Sequence, residues 1–400
     1  MKYIKIAAVL VLVAYAILFS GTNSGREQCT SAVISNLATT EGVPLLWKNR
    51  DTGVLSNKVV YVKEEPYCYL ALVNADAPSG RPCYAGLNSV GFGIMNTVAY
   101  NLPKKSGETE DLEGIIMADA LRSCQSIEDF ENYINANIGP DLGSRANFGV
   151  IDSSGKAYLF EIHNHGYEKI DAALSDEKYL VVTNYARSGK PARGAGYLRF
   201  ERASDLFQEL PKNRIHFRDI LIRFTRDLGH VLIKNPSFTD LKNLPAEKDF
   251  WINSRDCINR PITSAAVVIC GKNPSAQNSL ATMWVIPGEP LCAIALPLWV
   301  KAGSTPEVLW KGEEAPMWKE SLRIKDIIRP YKEGNKEDYL NLTRLDNADG
   351  TGFLPEILKT EEEIIKMTSA FLKKAHSPEE LAAFQAKMSQ KALATLRSIH

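Results

Sequence analysis

Cys29 combines residue type and position in a way that could do chemistry. It stands in Gln28-Cys29-Thr30-Ser31, just past an apolar leader. A cut before it would put a thiol and a free α-amine on one residue. An α-amine titrates at about 7.7–8.0, so near neutral pH it is partly unprotonated and can still take up a proton. Such a residue carries its own general base, and no catalytic histidine is required. Further on, Trp47-Lys48-Asn49-Arg50-Asp51 ends on a carboxylate that a hairpin could fold back towards Cys29. Charge-assisted hydrogen bonds from it would orient amine and thiol; Asp51-Thr52-Gly53 also reads as an ordinary turn. Asn96 and Asn184 each close a strand-like run, in Gly93-Ile94-Met95-Asn96-Thr97 and Val182-Thr183-Asn184-Tyr185. Asparagine there ordinarily satisfies loop backbone, and its amide NH2 can also stabilise a developing oxyanion.

Other readings of these residues are weaker. Lipid attachment at Cys29 needs Leu-x-Gly/Ala before the cysteine, where this chain has Arg26-Glu27-Gln28. A papain-like protease would show Cys-Gly-Ser-Cys-Trp, which is missing. His163 and His165 behind Glu161 have passable metal spacing. Alternating polar residues equally describe an exposed strand face, and no further Cys/His cluster completes a shell. Neither metal nor cofactor is expected.

Lys2 and Lys5 precede an apolar run, Ile6 to Phe19, shorter than the ~20 residues of a membrane span and patterned like a secretory signal. The expected organisation is a signal peptide over 1–20, a propeptide over 21–28, a main domain over 29–315 and a helical extension over 316–400. The protein would be exported, to the periplasm or outside the cell, with no stable span after processing. Leu18-Phe19-Ser20-Gly21 marks no clean cleavage site, which leaves an uncleaved anchor open. Seven cysteines (29, 68, 83, 124, 257, 270 and 292) leave at least one unpaired in an oxidising compartment. Cys68 and Cys83 could close a hairpin, or all six others could be reduced core residues. With 47 basic and 47 acidic residues the net charge is zero, and no basic stretch interleaved with aromatics suggests a nucleic-acid partner.

Short apolar runs bounded by turn residues predict strands from Thr30 to Asn96, among them one that starts at Cys29 and is accessible at a sheet edge. Helical spacing predicts two helices across 111–135, the second capped by Ser126. Strands follow at Asn147–Ile151, Ala157–Ile162 and Tyr179–Thr183, helices at Gly196–Leu210 and Phe217–Leu228, and strands at Ala265–Cys270, Ala281–Ile286 and Ala293–Leu296. Two amphipathic helices, Glu356–His376 and Ser377–Ile399, close the chain, the latter opened by Ser377-Pro378-Glu379-Glu380. This order implies an α+β fold, two antiparallel sheets between helical layers.

Taken in order, Cys29-Thr30-Ser31, Trp47-Lys48-Asn49-Arg50-Asp51, the run from Gly86 to Thr97, Thr183-Asn184, Gly196-Tyr197-Leu198-Arg199 and Thr282-Met283-Trp284-Val285 resemble the linear amide C–N hydrolases of the N-terminal-nucleophile (Ntn) superfamily. The nearest branch is the acyl-coenzyme A:isopenicillin N acyltransferase-like group, with bile salt hydrolases, penicillin V acylases and acid ceramidases more distant. The resemblance runs from Cys29 to about Val300. It implies an αββα four-layer sandwich, here with a C-terminal helical tail, and self-cleavage before Cys29, which attacks an amide carbonyl. By position it implies Asp51 as the acid beside the nucleophile, Asn96 and Asn184 as pocket and oxyanion residues, and Arg199 as the downstream arginine, with Arg193 and Arg202 as neighbouring alternatives. Many relatives place arginine three residues before the aspartate; this chain has Lys48 there, with Arg50 close by. Lysine cannot make the planar bidentate contact of arginine, so either Lys48 acts as a point charge on substrate or Arg50 takes over. The expected partner is a small-molecule N-acyl amide, with homo-oligomerisation open. Acyl transfer to an amine, and a non-catalytic exported binding protein on the same scaffold, are the alternative functions.

Overall fold

The computed structural model describes residues 27–77, 79–273 and 279–400. The segments expected to be a signal peptide and, for the most part, a propeptide lie outside the described residues. Among those described, no helix is long and apolar enough to cross a membrane.

Two antiparallel sheets form the centre. The first takes β1 (Thr30–Ile34) and β2 (Leu45–Asp51) from near the start of the described chain. The second sheet is an unbroken meander: β3 (Asn57–Val62), β4 (Tyr69–Asn74), β5 (Ala85–Asn88), β6 (Gly93–Val98), β7 (Arg145–Ile151), β8 (Ala157–His163) and β9 (Gly166–Asp171). The chain then returns to the first sheet through β10 (Tyr179–Val182), and a pair, β11 (Trp251–Asn253) with β15 (Tyr339–Asn341), stands apart. β12 (Thr263–Cys270), β13 (Thr282–Ile286) and β14 (Leu296–Leu298) complete the first sheet in the order β10-β1-β2-β12-β13-β14. Both sheets bury side chains on two faces, which is why β1, β2 and β12 read as near-continuous apolar or buried runs. They meet face to face, β1 and β2 against β6, β7 and β8. Gly149 is required at that contact: a Cβ there would lie 2.7 Å from Val33 Cγ2 and 2.5 Å from Met95 Cε.

Helices cover the outer faces. α1 (Glu113–Ser123) and α2 (Ile127–Asn137) pack on the second sheet, where Phe130 sits edge-on to Phe160 at 5.2 Å. α2 begins with the predicted Ser126 cap, closed reciprocally by Asp129. α3 (Tyr197–Gln208), the short α4 (Phe217–Ile222) and, beyond α5 (Phe238–Leu241), α6 (Pro316–Ile328), α7 (Leu354–Phe371) and α8 (Pro378–Ser398) lie on the side of the first sheet. Trp47 packs there against Phe207 and Phe224. The four-layer αββα sandwich expected from the motif order is therefore present. The residues after 315 share one apolar cluster with the first sheet, through Ile324, Ile364, Met388 and Leu396. A buried Arg226–Glu361 pair ties the two, with Nη2 donating to Oε2 at 2.7 Å.

Several expectations are corrected. β1 is no edge strand, because β10 pairs along its other side, Ser31 opposite Val182. Cys68 and Cys83 do not close a hairpin, since all seven cysteines are free. Ser89 bonds to Cys68, while the register puts Leu72 opposite Ala85. The two thiols thus sit at opposite ends of the β4–β5 ladder, separated by several residues at about 3.3 Å each, beyond disulfide reach. The helix expected over Phe217–Leu228 breaks after Ile222 into a 3₁₀ turn, Phe224–Arg226. His165 lies in the turn after β8 and pairs with Glu108 at 2.7 Å, so it does not extend a ligand face with Glu161. Glu161 instead accepts from the backbone of Arg187 and Ser188 at 2.6 and 2.7 Å, pinning the loop after β10.

Candidate active site

Strand alternation separates the predicted residues into two groups. Thr30 stands opposite Asn49 and Ser31 opposite Lys48. Ser31 Oγ meets Thr97 Oγ of the second sheet at 3.0 Å, so by period two the Cys29 side chain shares the inter-sheet face with Lys48 and Arg50. Asn49 and Asp51 face the helical side, where Asn49 donates to Thr225 O at 2.8 Å. Gln28 N–H extends the β1–β2 ladder by donating to Asp51 O at 3.0 Å.

On the inter-sheet face, Lys48 Nζ donates to Asn96 Oδ1 at 2.7 Å and to Tyr84 O at 3.0 Å. Burial pushes the Cys29 thiol up; Lys48 is the largest opposing influence, and the charges of Glu27 and Asp51 push it further up. Lys48 therefore bears on the thiol as a point charge. Arg50 is occupied elsewhere, donating to Asn57 and, at 2.8 Å, to Asn74, with its guanidinium 3.5 Å over the Tyr84 ring. Among the described residues of the preceding segment it approaches Glu27, at 3.5 Å.

On the helical side Arg199 is the hub. Gly196, with φ +81°, opens α3, and a Cβ at that position would meet Arg199 Nη2 at 2.5 Å. The guanidinium donates from Nη1 to Cys29 O at 2.7 Å and Thr30 Oγ1 at 2.8 Å, and from Nη2 to Asn184 Oδ1 at 2.9 Å. Burial lowers its pKa to about 10, so it stays cationic at neutral pH. Arg202 instead forks onto Asp227. Asn184 Nδ2 donates to Val98 O at 3.0 Å and to Glu27 O at 3.2 Å, and Tyr100 Oη reaches the same Glu27 O at 2.6 Å. Two donors thus converge on a carbonyl two residues before Cys29.

Asp51 is fully buried, and that burial raises its pKa to about 6 against the pull of Arg260 and Arg199. Oδ1 accepts from Thr263 Oγ1 at 2.7 Å. Oδ2 has no hydrogen-bond partner among the described residues; Arg199 and Arg260 stand 3.9 and 4.0 Å away. The structure thus gathers Cys29, Asp51, Asn184 and Arg199, with Lys48 and Asn96 on the thiol's face. Tyr100, Arg260 and Thr263 are site residues that sequence reasoning missed. They come from a strand exit and from the β12 approach, and only Thr263, beside a strand predicted to start at Ala265, had a nearby signal. Among the described residues no group of three or more His, Cys, Asp or Glu could hold a metal.

Glu113, at the first turn of α1, accepts Arg145 N–H at 2.9 Å, and burial raises it to about 7. Its folded pKa lies above its unfolded one, so its contribution to stability is complete below about 4.3 and is lost as pH rises through 7. Glu113→Gln keeps the acceptor without the charge. Denaturant titrations should show the variant gaining on wild type from pH 4.5 to 7.5, by on the order of 2–3 kcal/mol.

No protein-family model matches the chain, and no curated protein matches it. Among solved structures it is similar to penicillin V acylase from Agrobacterium tumefaciens at 14% identity and TM-score 0.40, over 68% of this chain and 86% of that one. It is similar to a Caenorhabditis elegans orthologue of N-acylethanolamine-hydrolyzing acid amidase at 13% and 0.40, over 63% and 95%. A variant of conjugated bile acid hydrolase from Clostridium perfringens is similar at 11% and 0.34, over 64% and 89%.

Proposed function

We propose that the chain is an exported amidohydrolase of linear C–N amides in which Cys29 becomes the N-terminal nucleophile by loss of residues 1–28. The observation that carries this reading is Asp51 Oδ2, a buried carboxylate oxygen with no hydrogen-bond partner among the described residues, 3.9 Å from the Arg199 Nη1 that holds Cys29 O. Leaving such an atom unpaired is costly. Cleavage before Cys29 would create an α-ammonium within its surroundings and supply the missing donor.

In this reading the α-amine takes the thiol proton and the thiolate attacks the amide carbonyl. Asn184 Nδ2 and Tyr100 Oη, which hold Glu27 O in the intact chain, lose that acceptor when the segment leaves and can then turn to the oxyanion formed at the carbon that Cys29 attacks. Collapse breaks the C–N bond, and the amine leaves with the proton held on the α-amine. Water, activated by the same amine, then releases the acid from the thioester. Arg199 fixes the nucleophile's carbonyl and the orientation of Asn184 together. The test joins N-terminal sequencing of the purified protein to an N-acyl anilide panel. The expected result is an active chain beginning at Cys29; an active chain that begins elsewhere sinks the mechanism.

A further inference from the structure

A cleft of about 730 Å³ is lined by Gln28, Arg260, Lys325 and Arg329, among others. Lys325 and Arg329 are held by the buried Glu289 carboxylate at 3.1 and 2.9 Å. Arg260 is held differently. Its guanidinium is buried, and Nη1 donates to the side chain of Gln28, reaching Oε1 at 2.6 Å. Nε has no hydrogen-bond partner among the described residues, and Asp51 Oδ2 stands 4.0 Å away. A buried cation is therefore hydrogen-bonded by the side chain of the very residue whose carbonyl precedes Cys29.

We propose that Arg260 is the specificity residue of an acyl subsite that Gln28 fills in the intact chain, and that the preferred acyl group has five carbons and ends in a carboxylate. The inference rests on Cys29 being the N-terminal nucleophile. In self-cleavage the Gln28 carbonyl is the acyl carbon, and Cα, Cβ and Cγ connect it to the Cδ that carries Oε1. A glutaryl group spans the same five carbons. Once Gln28 has left, Arg260 is a buried guanidinium facing an open cleft. A carboxylate answers its charge, and its two oxygens suit the planar fork better than an amide's single one. Lys325 and Arg329, two cations against the one Glu289 carboxylate, add to the positive field. The reaction balances as any acyl transfer to water: Cys29 Sγ bonds to the glutaryl carbon as the C–N bond breaks, and water then frees glutarate.

The test compares glutaryl anilide with valeryl anilide, which has the same carbon count without the carboxylate, on protein shown by mass to begin at Cys29. The expected kcat/KM ratio favours glutaryl by at least about tenfold, as for a site built around a charged hydrogen bond. In Arg260→Met the ratio, read within the variant, falls to about one by the same argument. Should that variant fail to fold, inhibition of the wild-type protein decides: glutarate should compete with substrate at concentrations where valerate does not. A processed chain that hydrolyses valeryl anilide equally well or better overturns this proposal and leaves the amidohydrolase reading standing. So does a processed chain that hydrolyses other anilides, ignores both of these and is not inhibited by glutarate. A chain that keeps Gln28 and hydrolyses nothing overturns both.

Discussion

Cys29→Ala is expected to accumulate with residue 28 still joined to residue 29 and to show no amide hydrolysis above background, a loss of at least about 10⁴-fold for removal of a nucleophile. The fold should survive. Cys29 is wholly buried at the start of an internal strand, its carbonyl held by Arg199 and the preceding N–H by Asp51 O, and none of these bonds uses the thiol. Removing one buried sulfur leaves a small cavity, for which about 1–2 kcal/mol is expected, so circular dichroism and the melting midpoint should move little. The two readouts separate two ideas. A variant that still loses its first 28 residues yet hydrolyses nothing means that another peptidase cuts the chain and the thiol serves catalysis alone. A variant that retains activity removes Cys29 from the mechanism. Burial pushes the thiol up in the intact chain, and Lys48 opposes this. Loss of the preceding segment would remove the Glu27 charge and admit the α-amine.

The parts of this arrangement visible in the sequence were those written as local order. Cys29, Asp51, Asn184 and Arg199 stand in short motifs, and the alternation of strands with helix pairs was enough to imply two sheets between helical layers. The choice between Lys48 and Arg50 was not legible. Both lie on one strand face, and only the partners across the sheets distinguish them: Asn96 for one, Asn57, Asn74 and the Tyr84 ring for the other. Arg260 and Thr263 reach Asp51 because β12 pairs with β2 across more than two hundred residues of sequence, a contact that no local pattern announces. β9 escaped notice because Tyr167-Glu168-Lys169 is a polar, half-exposed edge. α6 escaped because its charged residues masked the apolar stripe of Met317, Trp318, Ile324 and Ile328. β1 was misjudged as an edge because β10, its neighbour, follows an entire seven-stranded sheet in the chain.

Asn184 should carry the second-largest effect, and its chemistry permits a sharper test than truncation alone. Arg199 offers only donors, so Nη2 at 2.9 Å fixes the near atom of the Asn184 amide as Oδ1. The NH2 must then point the other way, towards Glu27 O and Val98 O. Asn184→Asp keeps the shape and the acceptor facing Arg199, and gains an ion pair there, but it cannot donate. Asn184→Ala removes both. If the amide serves as an oxyanion donor, both variants should lose about 10²–10³ in kcat with KM changed far less; in the aspartate variant the ion pair gained with Arg199 is set against the lost bond to Val98 O. A residue that merely spaced the strand exit would behave differently, because aspartate would then restore most of the turnover that alanine loses. Stopped assays on protein confirmed to begin at Cys29 distinguish the outcomes, since a block in processing would otherwise pass for a block in turnover. Full activity in Asn184→Asp would assign stabilisation of the oxyanion to Tyr100 and the backbone, and leave Asn184 only the task of holding Arg199 against the nucleophile's carbonyl.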